Sequence, residues 1–231
     1  MKIALHISNS HECGYFDDRI ATTLFVDPGE KITSRTYDEL LNKGFRRSGQ
    51  LIYKPHCKNC NACVPLRISS QKFKPSRSQQ RVLNKNKDVT YRVMVPQYLD
   101  EHYGLYKDYL SSRHKTGGME KHTAKDYQDS MLNSGVNTAL IEYRIKDKLI
   151  CVAVTDLVEN GLSAVYTFFD PRLSKQRSLG TFAILSQIYL AKSLQRSWLY
   201  LGYWIQESRK MAYKSNFSSS QILINGEWNQ L

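Results

Sequence analysis

The sequence lacks any run of apolar residues approaching the ~20 needed to cross a lipid bilayer. Its start, MKIALHISNSHEC, has neither the apolar stretch nor the small-residue cleavage site of a signal peptide. Also absent are a Walker loop, an HExxH zinc motif and a serine in a nucleophile elbow. These absences argue against several common classes of hydrolase and predict a cytoplasmic protein.

Acidic residues are few relative to basic ones. The 231 residues include 21 Asp and Glu against 33 Lys and Arg, a formal net charge of +12. Such an excess attracts polyanions through long-range Coulomb forces and counterion release. Nucleic acid is the first candidate partner and an anionic membrane surface the second. With 41% hydrophobic residues, the composition is that of a folded globular protein.

Cysteines are also few, and three of the five lie in one short stretch, HCKNCNAC. In a reducing compartment they do not form a disulfide framework. The spacing C-x-x-C-x-x-C suits zinc or an iron–sulfur cluster, each of which takes about four ligands. The candidate metal ligands are Cys13, Cys57, Cys60 and Cys63, with His56 an alternative fourth ligand. The other interpretation is a tight structural turn between Pro55 and Pro65.

Basic residues cluster in the stretch QKFKPSRSQQRVLNKNKDVTYR, residues 71–92, where Asp88 is the only acid. The residues after Pro75 read as a basic helix. Clustered cations favour a phosphate-binding surface over a solvated linker helix.

The second half of the chain predicts a strand–loop–helix unit. Residues 138–171 read as three antiparallel strands, with turns at KDK and ENG. A polar loop containing Arg177 and Gly180 then opens a long helix, and WLYLGYWI (198–205) follows as an apolar strand. Helix N-termini bind phosphate well, and acetyl-CoA-dependent acyltransferases use a similar arrangement. An ordinary strand–helix junction is the alternative.

Several motifs occur in one order along almost the full chain, roughly residues 10–228: GFRRSGQLIYKPHCKNCNACVPLRI, KPSRSQQRVLNKN, SSRHKTGGM, AVTDLVENGLSAVYTFFDP, RSLGTFAILSQI, LYLGYWI and RKMAYK. Their combination resembles the bacterial aminoacyl-tRNA–protein transferases, short relatives of arginyl-tRNA–protein transferase, and within them the leucyl-transferring members. The resemblance implies transfer of leucine from Leu-tRNA to the α-amino group of proteins that begin with Asp or Glu, which marks them for N-degron degradation.

The fold implied by the resemblance is α+β. A C-terminal lobe with a mixed sheet, like that of the GNAT acetyltransferases, is expected at residues 96–231. A smaller N-terminal α/β region carrying the cysteine loop is expected at 1–70, and a basic connecting segment at 71–95. We expect a monomer by default, with no membrane partner and no required cofactor.

The chemistry needs little from the enzyme, because the aminoacyl ester of tRNA is already activated. Positioning of the acceptor amine and a donor to the developing oxyanion can lower the barrier. We therefore expect direct acyl transfer without an acyl-enzyme. His114 is a candidate base, with a surface histidine as the alternative.

Candidate site residues follow from this chemistry. An acidic acceptor side chain calls for cations, since arginine can donate two hydrogen bonds to a carboxylate; the candidates are Arg46, Arg47, Arg67, Arg209, Lys210 and Lys214. The predicted contacts to tRNA are Arg77, Arg81, Lys85, Arg177 and Gly180. Tyr166 and Asp170 are the predicted catalytic residues, at the strand end where this fold places its cleft, although Asp170 could equally cap the turn before Pro171.

The cysteine loop departs from the family pattern, since eukaryotic relatives bind zinc or an iron–sulfur cluster with cysteines near these positions. Here the N-terminal motif has only Cys13, not a pair. We expect a loop that shapes the acceptor pocket, with zinc or a cluster as the alternative. Other functions left open are arginyl transfer, acetyl-CoA-dependent acetylation and a zinc-bearing RNA-binding module.

Overall fold

The computed structural model describes residues 3–113 and 122–231. The strands are β1 Leu5–Ile7, β2 His11–Glu12, β3 Ile20–Ala21, β4 Thr23–Val26, β5 Arg46–Ser48, β6 Leu51–Pro55, β7 Val64–Ser69, β8 Val89–Met94, β9 Thr138–Ile145, β10 Lys148–Leu157, β11 Gly161–Phe169, β12 Trp198–Trp204, β13 Ser220–Ile224 and β14 Glu227–Gln230. The α-helices are α1 Ser34–Asn42, α2 Arg77–Lys85, α3 Asp100–Arg113, α4 Ala124–Tyr127, α5 Pro171–Arg177 and α6 Leu179–Ser193. A π-helical turn spans Gln128–Leu132 and a 3₁₀ turn spans Ala212–Asn216.

An eight-stranded mixed sheet, in the order β14-β13-β7-β12-β11-β10-β9-β8, organises the molecule. Its pairs are antiparallel except for β11 and β12, which run parallel. The α+β class with a mixed sheet is therefore confirmed. The predicted three-stranded unit is β9, β10 and β11, with turns where KDK and ENG stand.

The large sheet takes strands from all three segments that the sequence suggested. β7, from the N-terminal segment, lies between β12 and β13, and β8, from the basic connecting segment, forms the edge beside β9. Leu66 and Ile68 of β7 are buried in the same core cluster as Leu185 of α6. Burial of this apolar face explains why β7 inserts into the sheet.

Helices cover both faces of the sheet. On one face α6 is buried through Leu185 and Ile188, and α2 packs against it. On the other, α3 places Tyr106 against Phe168 of β11, with ring centroids 5.4 Å apart. Within the described ranges, no helix is both long and apolar enough to cross a membrane.

The small sheet, in the order β1-β4-β6-β5, packs with α1 against the large sheet. Thr33 caps α1 by accepting a hydrogen bond from the Thr36 backbone N–H. Tyr37 of α1 is buried and donates to Asp156 of β10 over 2.8 Å. This packing brings β5 to the region where β11 and β12 separate.

Candidate active site

The parallel strands β11 and β12 open a gap in the middle of the large sheet. They pair over only three residues at their starts, ending where Ser163 faces Tyr200. β11 then continues to Phe169 and β12 to Trp204 without pairing to each other. Separation of two parallel strands leaves backbone carbonyls on both facing edges that need other donors.

Arg46 of β5 enters this gap from the small sheet. Its Nη2 donates to the carbonyl oxygen of Val165 on β11, 3.1 Å away. On the β12 side it packs against Gly202, which has φ +72°. A Cβ at position 202 would lie 2.5 Å from Arg46 Nη1, so only glycine leaves room for the guanidinium.

Lys214 binds backbone carbonyl oxygens of β12, on the other side of the gap. It follows β12 in the 3₁₀ turn and is only 5% exposed. Its Nζ donates to the carbonyl oxygens of Leu201 and Tyr203 over 2.8 and 2.7 Å. One cation therefore stabilises each separated strand.

The two cations have no acidic partner. Among residues 3–113 and 122–231, no Asp or Glu forms an ion pair with Arg46 or Lys214. Burial and the nearby Arg46 lower the pKa of Lys214 to about 7, although Cys63 acts in the opposite direction. The Arg46 guanidinium, without an acidic partner, suits a carboxylate supplied by a ligand.

The sequence did not predict a role for Gly202, although its position within an apolar strand was informative. A lone glycine inside an apolar strand such as WLYLGYWI often marks a bulge or a close backbone approach. β12 does shift its register against β7 between Tyr200 and Gly202, and Arg46 makes the close approach.

Arg47, next along β5, faces away from the gap into a buried network. Its Nη2 lies 2.6 Å from Asp156 Oδ1, and both side chains are inaccessible to solvent. The same Nη2 also donates to the Thr138 hydroxyl, and Nη1 donates to the carbonyl oxygen of Gly49. These contacts use its donors within the protein.

The other predicted substrate-binding cations lie apart from the gap. Arg67 lies between the rings of Trp198 and Trp228, at 3.6 and 4.1 Å from their centroids. Arg209 and Lys210 are exposed in the turns after β12. Only Arg46 and Lys214 of the six candidates are brought together.

The predicted catalytic residues bracket the end of β11. Tyr166 packs among the aromatic rings of α3, and its buried hydroxyl has no hydrogen-bond partner within the described part of the chain. Asp170 is buried and caps α5, accepting from the Arg172 backbone and side chain and from Lys148. Burial opposes its ionisation, but these donors outweigh burial and hold its pKa at about 2. His114 lies outside the described residues.

The junction between β11 and α6 is more ordered than the predicted loop. The short helix α5 occupies residues 171–177, and Ser178 adopts a left-handed conformation before α6 begins. Arg177 forms a two-pronged ion pair with Asp88, at 2.7 and 2.9 Å. Gly180 faces the Phe169 ring, which a Cβ would approach to 3.2 Å.

The basic segment forms α2 as predicted. Ser76 caps it, with Gln79 completing a capping box. Arg77, Arg81 and Lys85 are all exposed, and Lys85 also donates to the Gln176 carbonyl oxygen over 3.4 Å. The helix therefore presents cations to solvent beside α5.

The four candidate metal-binding cysteines line one cavity of about 660 Å³ between the cysteine loop and the small sheet. Cys60 accepts a hydrogen bond from Arg19 over 3.4 Å, and Cys57 donates to the Thr22 carbonyl oxygen over 3.7 Å. Burial and the neighbouring thiols raise the pKa of Cys63 to about 12. Across the described ranges, no three His, Cys, Asp or Glu side chains are grouped to hold a metal ion. Zinc or an iron–sulfur cluster at these cysteines stays a prediction.

Comparison with known families defines the class of protein. The model for the N terminus of arginine-tRNA-protein transferases matches residues 11–81, and the model for their C terminus matches residues 101–224. The chain belongs to this family, so it is an aminoacyltransferase, and the resemblance identified from its motifs is confirmed.

Its curated relatives are named more specifically. Aspartate/glutamate leucyltransferases from Hahella chejuensis and Saccharophagus degradans are 44% and 45% identical to it, each over 98% of this chain and 96% of the relative. That of Thiobacillus denitrificans is 44% identical over 100% of this chain and 95% of its own. Among solved structures, L-PGS from Bacillus licheniformis aligns with 62% of this chain and 47% of its own, with 12% identity and a TM-score of 0.45. The family assignment rests on the sequence matches.

Proposed function

We propose that this enzyme transfers leucine from Leu-tRNA to the α-amino group of proteins that begin with Asp or Glu. The observation that carries the proposal is the gap between β11 and β12, where Arg46 has no acidic partner within the described residues. A buried cation without a counter-charge is costly, and the acceptor's carboxylate supplies that charge. The printed names of the relatives support leucine as the transferred residue and Asp or Glu as the acceptors, and the family description supports a tRNA donor.

Arg46 is the proposed ligand of the acceptor carboxylate. Its guanidinium has five N–H donors, and within residues 3–113 and 122–231 one hydrogen bond uses them, from Nη2 to Val165. Arg47, by contrast, already contacts Asp156 with Nε and Nη2. The geometry therefore favours Arg46 among the arginines predicted from the sequence.

The reaction is proposed to proceed directly, without an acyl-enzyme, added metal or ATP, because the ester of Leu-tRNA is already activated. The strand–helix unit from β11 to α6 and the separation of β11 from β12 support a GNAT-like fold for the catalytic lobe. The catalytic roles of Tyr166 and Asp170 stay predictions, as do a cytoplasmic location and a monomeric state.

The test of function is transfer of labelled leucine from Leu-tRNA to peptides that differ only in their first residue: Asp, Glu, Asn and Ala. We expect label on the Asp and Glu peptides alone, and none when labelled Arg-tRNA replaces Leu-tRNA. Arginine transfer would support the arginyl alternative, and transfer from neither tRNA would contradict the proposal. A quench with Leu-tRNA but no peptide should leave no label on the enzyme; a leucyl-enzyme would contradict direct transfer.

The exposed face of α2 is proposed to contact the tRNA backbone. Replacing Arg77 and Arg81 together by Gln should weaken Leu-tRNA binding, because two phosphate contacts are lost. The slope of log affinity against log salt concentration should fall by about 1.5 in titrations between about 50 and 300 mM KCl. The control Lys31→Gln removes an exposed charge before α1 and should leave the slope unchanged. An unaltered slope in the double variant would place the tRNA elsewhere.

A further inference from the structure

Lys214 differs from Arg46 in what it can offer a ligand. Its nitrogen has three positions for hydrogen bonds, and two already hold the carbonyl oxygens of Leu201 and Tyr203. No third partner occurs for Nζ within residues 3–113 and 122–231. The remaining position carries a proton in the ammonium form and a lone pair in the amine form, so it suits the exchange of a single proton.

The amine form fits its surroundings. Two carbonyl acceptors match the two N–H groups of a neutral amine, and Arg46 already supplies a positive charge to the gap. Within the described residues, the titratable groups found near Arg46 or Lys214 are phenols and a thiol rather than carboxylates: Cys63, Tyr15, Tyr37, Tyr53, Tyr203 and Tyr213. Burial and the charge of Arg46 both disfavour a second cation there.

We propose that Lys214 is the catalytic residue that takes up and returns the proton during leucyl transfer, an inference that rests on the proposed function. The acceptor's neutral α-amine attacks the ester carbonyl of Leu-tRNA and forms the C–N bond. Its nitrogen gives one proton to the Lys214 amine. The ester C–O bond then breaks, and the Lys214 ammonium returns that proton to the departing ribose oxygen. The peptide bond and the free tRNA hydroxyl account for every atom, and Lys214 ends as an amine.

The titration of Lys214 supports this role. Burial and Arg46 hold its pKa at about 7, well below the ordinary lysine value. A substantial fraction is therefore the amine at neutral pH, and a base works best when its pKa lies near the operating pH. The amine is lost as the pH falls through this value, so the turnover number should fall on the acid side.

The experiment compares wild type, Lys214→Arg and the control Lys31→Arg, with kcat and KM measured for an Asp-initiated peptide between about pH 6 and 9. Arginine keeps a donor for the carbonyls but cannot accept a proton in this range. We expect kcat of Lys214→Arg to fall by about 100-fold or more, with KM for the peptide changed by less than about 3-fold. In wild type and the control, kcat should fall on the acid side through both the Lys214 amine and the acceptor's α-amine, whereas in the variant only the acceptor's α-amine, with an ordinary pKa of about 7.7–8.0, should titrate.

Chemical rescue provides a second test. In Lys214→Ala, added ethylamine should restore part of kcat, and amines of different pKa should rescue in proportion to the amine form present. Wild-type kcat that is flat across the pH range would overturn the inference even if a replacement did not fold. So would Lys214→Arg with near-normal kcat, or with a change in KM alone, which would indicate carboxylate binding. Wild type that transfers no leucine at all would instead overturn the proposed function.

Discussion

Replacing Arg46 by Met should lower kcat/KM for Asp- and Glu-initiated peptides by about 100- to 1,000-fold, because the acceptor carboxylate would enter a buried gap without its partner. The kcat/KM of Arg46→Lys should lie between those of wild type and Arg46→Met, since lysine keeps the charge but loses the fork that donates two hydrogen bonds. The measurement is initial-rate transfer at subsaturating peptide. The ratio of Asp over Asn peptides is the informative quantity.

The control for Arg46 is Arg35→Met on α1, whose side chain is 79% exposed. This variant should leave the ratio of transfer to Asp over Asn peptides unchanged. If Arg46→Met slowed transfer to Asp and Asn peptides equally while the protein stayed folded by circular dichroism, Arg46 would be supporting the strands rather than selecting the acceptor. That outcome would contradict its assignment as the carboxylate ligand.

Replacing Arg47 by Met should mainly lower the stability of the fold rather than the rate of transfer. Asp156 would remain buried without its ion pair, and breaking such a pair costs about 3–5 kcal/mol. We expect the midpoint of thermal unfolding to fall by about 10 °C. Denaturant unfolding followed by fluorescence gives the free energy of unfolding for comparison.

A double variant separates charge from packing. Arg47→Met combined with Asp156→Leu removes both charges and should recover part of the lost stability, although Tyr37 and Thr138 would lose their acceptor. Transfer per folded molecule should stay near wild type in both variants. A selective loss of transfer in folded Arg47→Met would place Arg47 in the substrate site after all.

The contrast between these neighbours shows what the sequence could and could not predict. The alternation of a strand puts Arg46 and Arg47 on opposite faces, but not which face meets a cleft. That depends on Asp156, more than 100 residues later in the chain. The sequence predicted that an arginine would bind the acceptor carboxylate. It could not predict which of Arg46 and Arg47 faces the gap.

Local signals predicted local structure well. The turn residues KDK and ENG between apolar runs predicted the hairpins of β9, β10 and β11. The loop before α6 was only partly predicted, because Pro171 initiates the short helix α5 there. Pairing of β7 with β12 and β13 depends on buried faces that meet across the chain, so spacing alone could not reveal it.

The position of β7 has a consequence for how the protein is made. Its partners β12 and β13 lie near the C-terminal end of the chain, so β7 leaves the ribosome long before either exists. During synthesis its edges, with Leu66 and Ile68, have no strand to pair with, and such late closure makes folding slow and exposed to aggregation. Truncation at the boundary between the two family models would separate β7 from its partners, so each half alone should be an aggregating fragment rather than a domain.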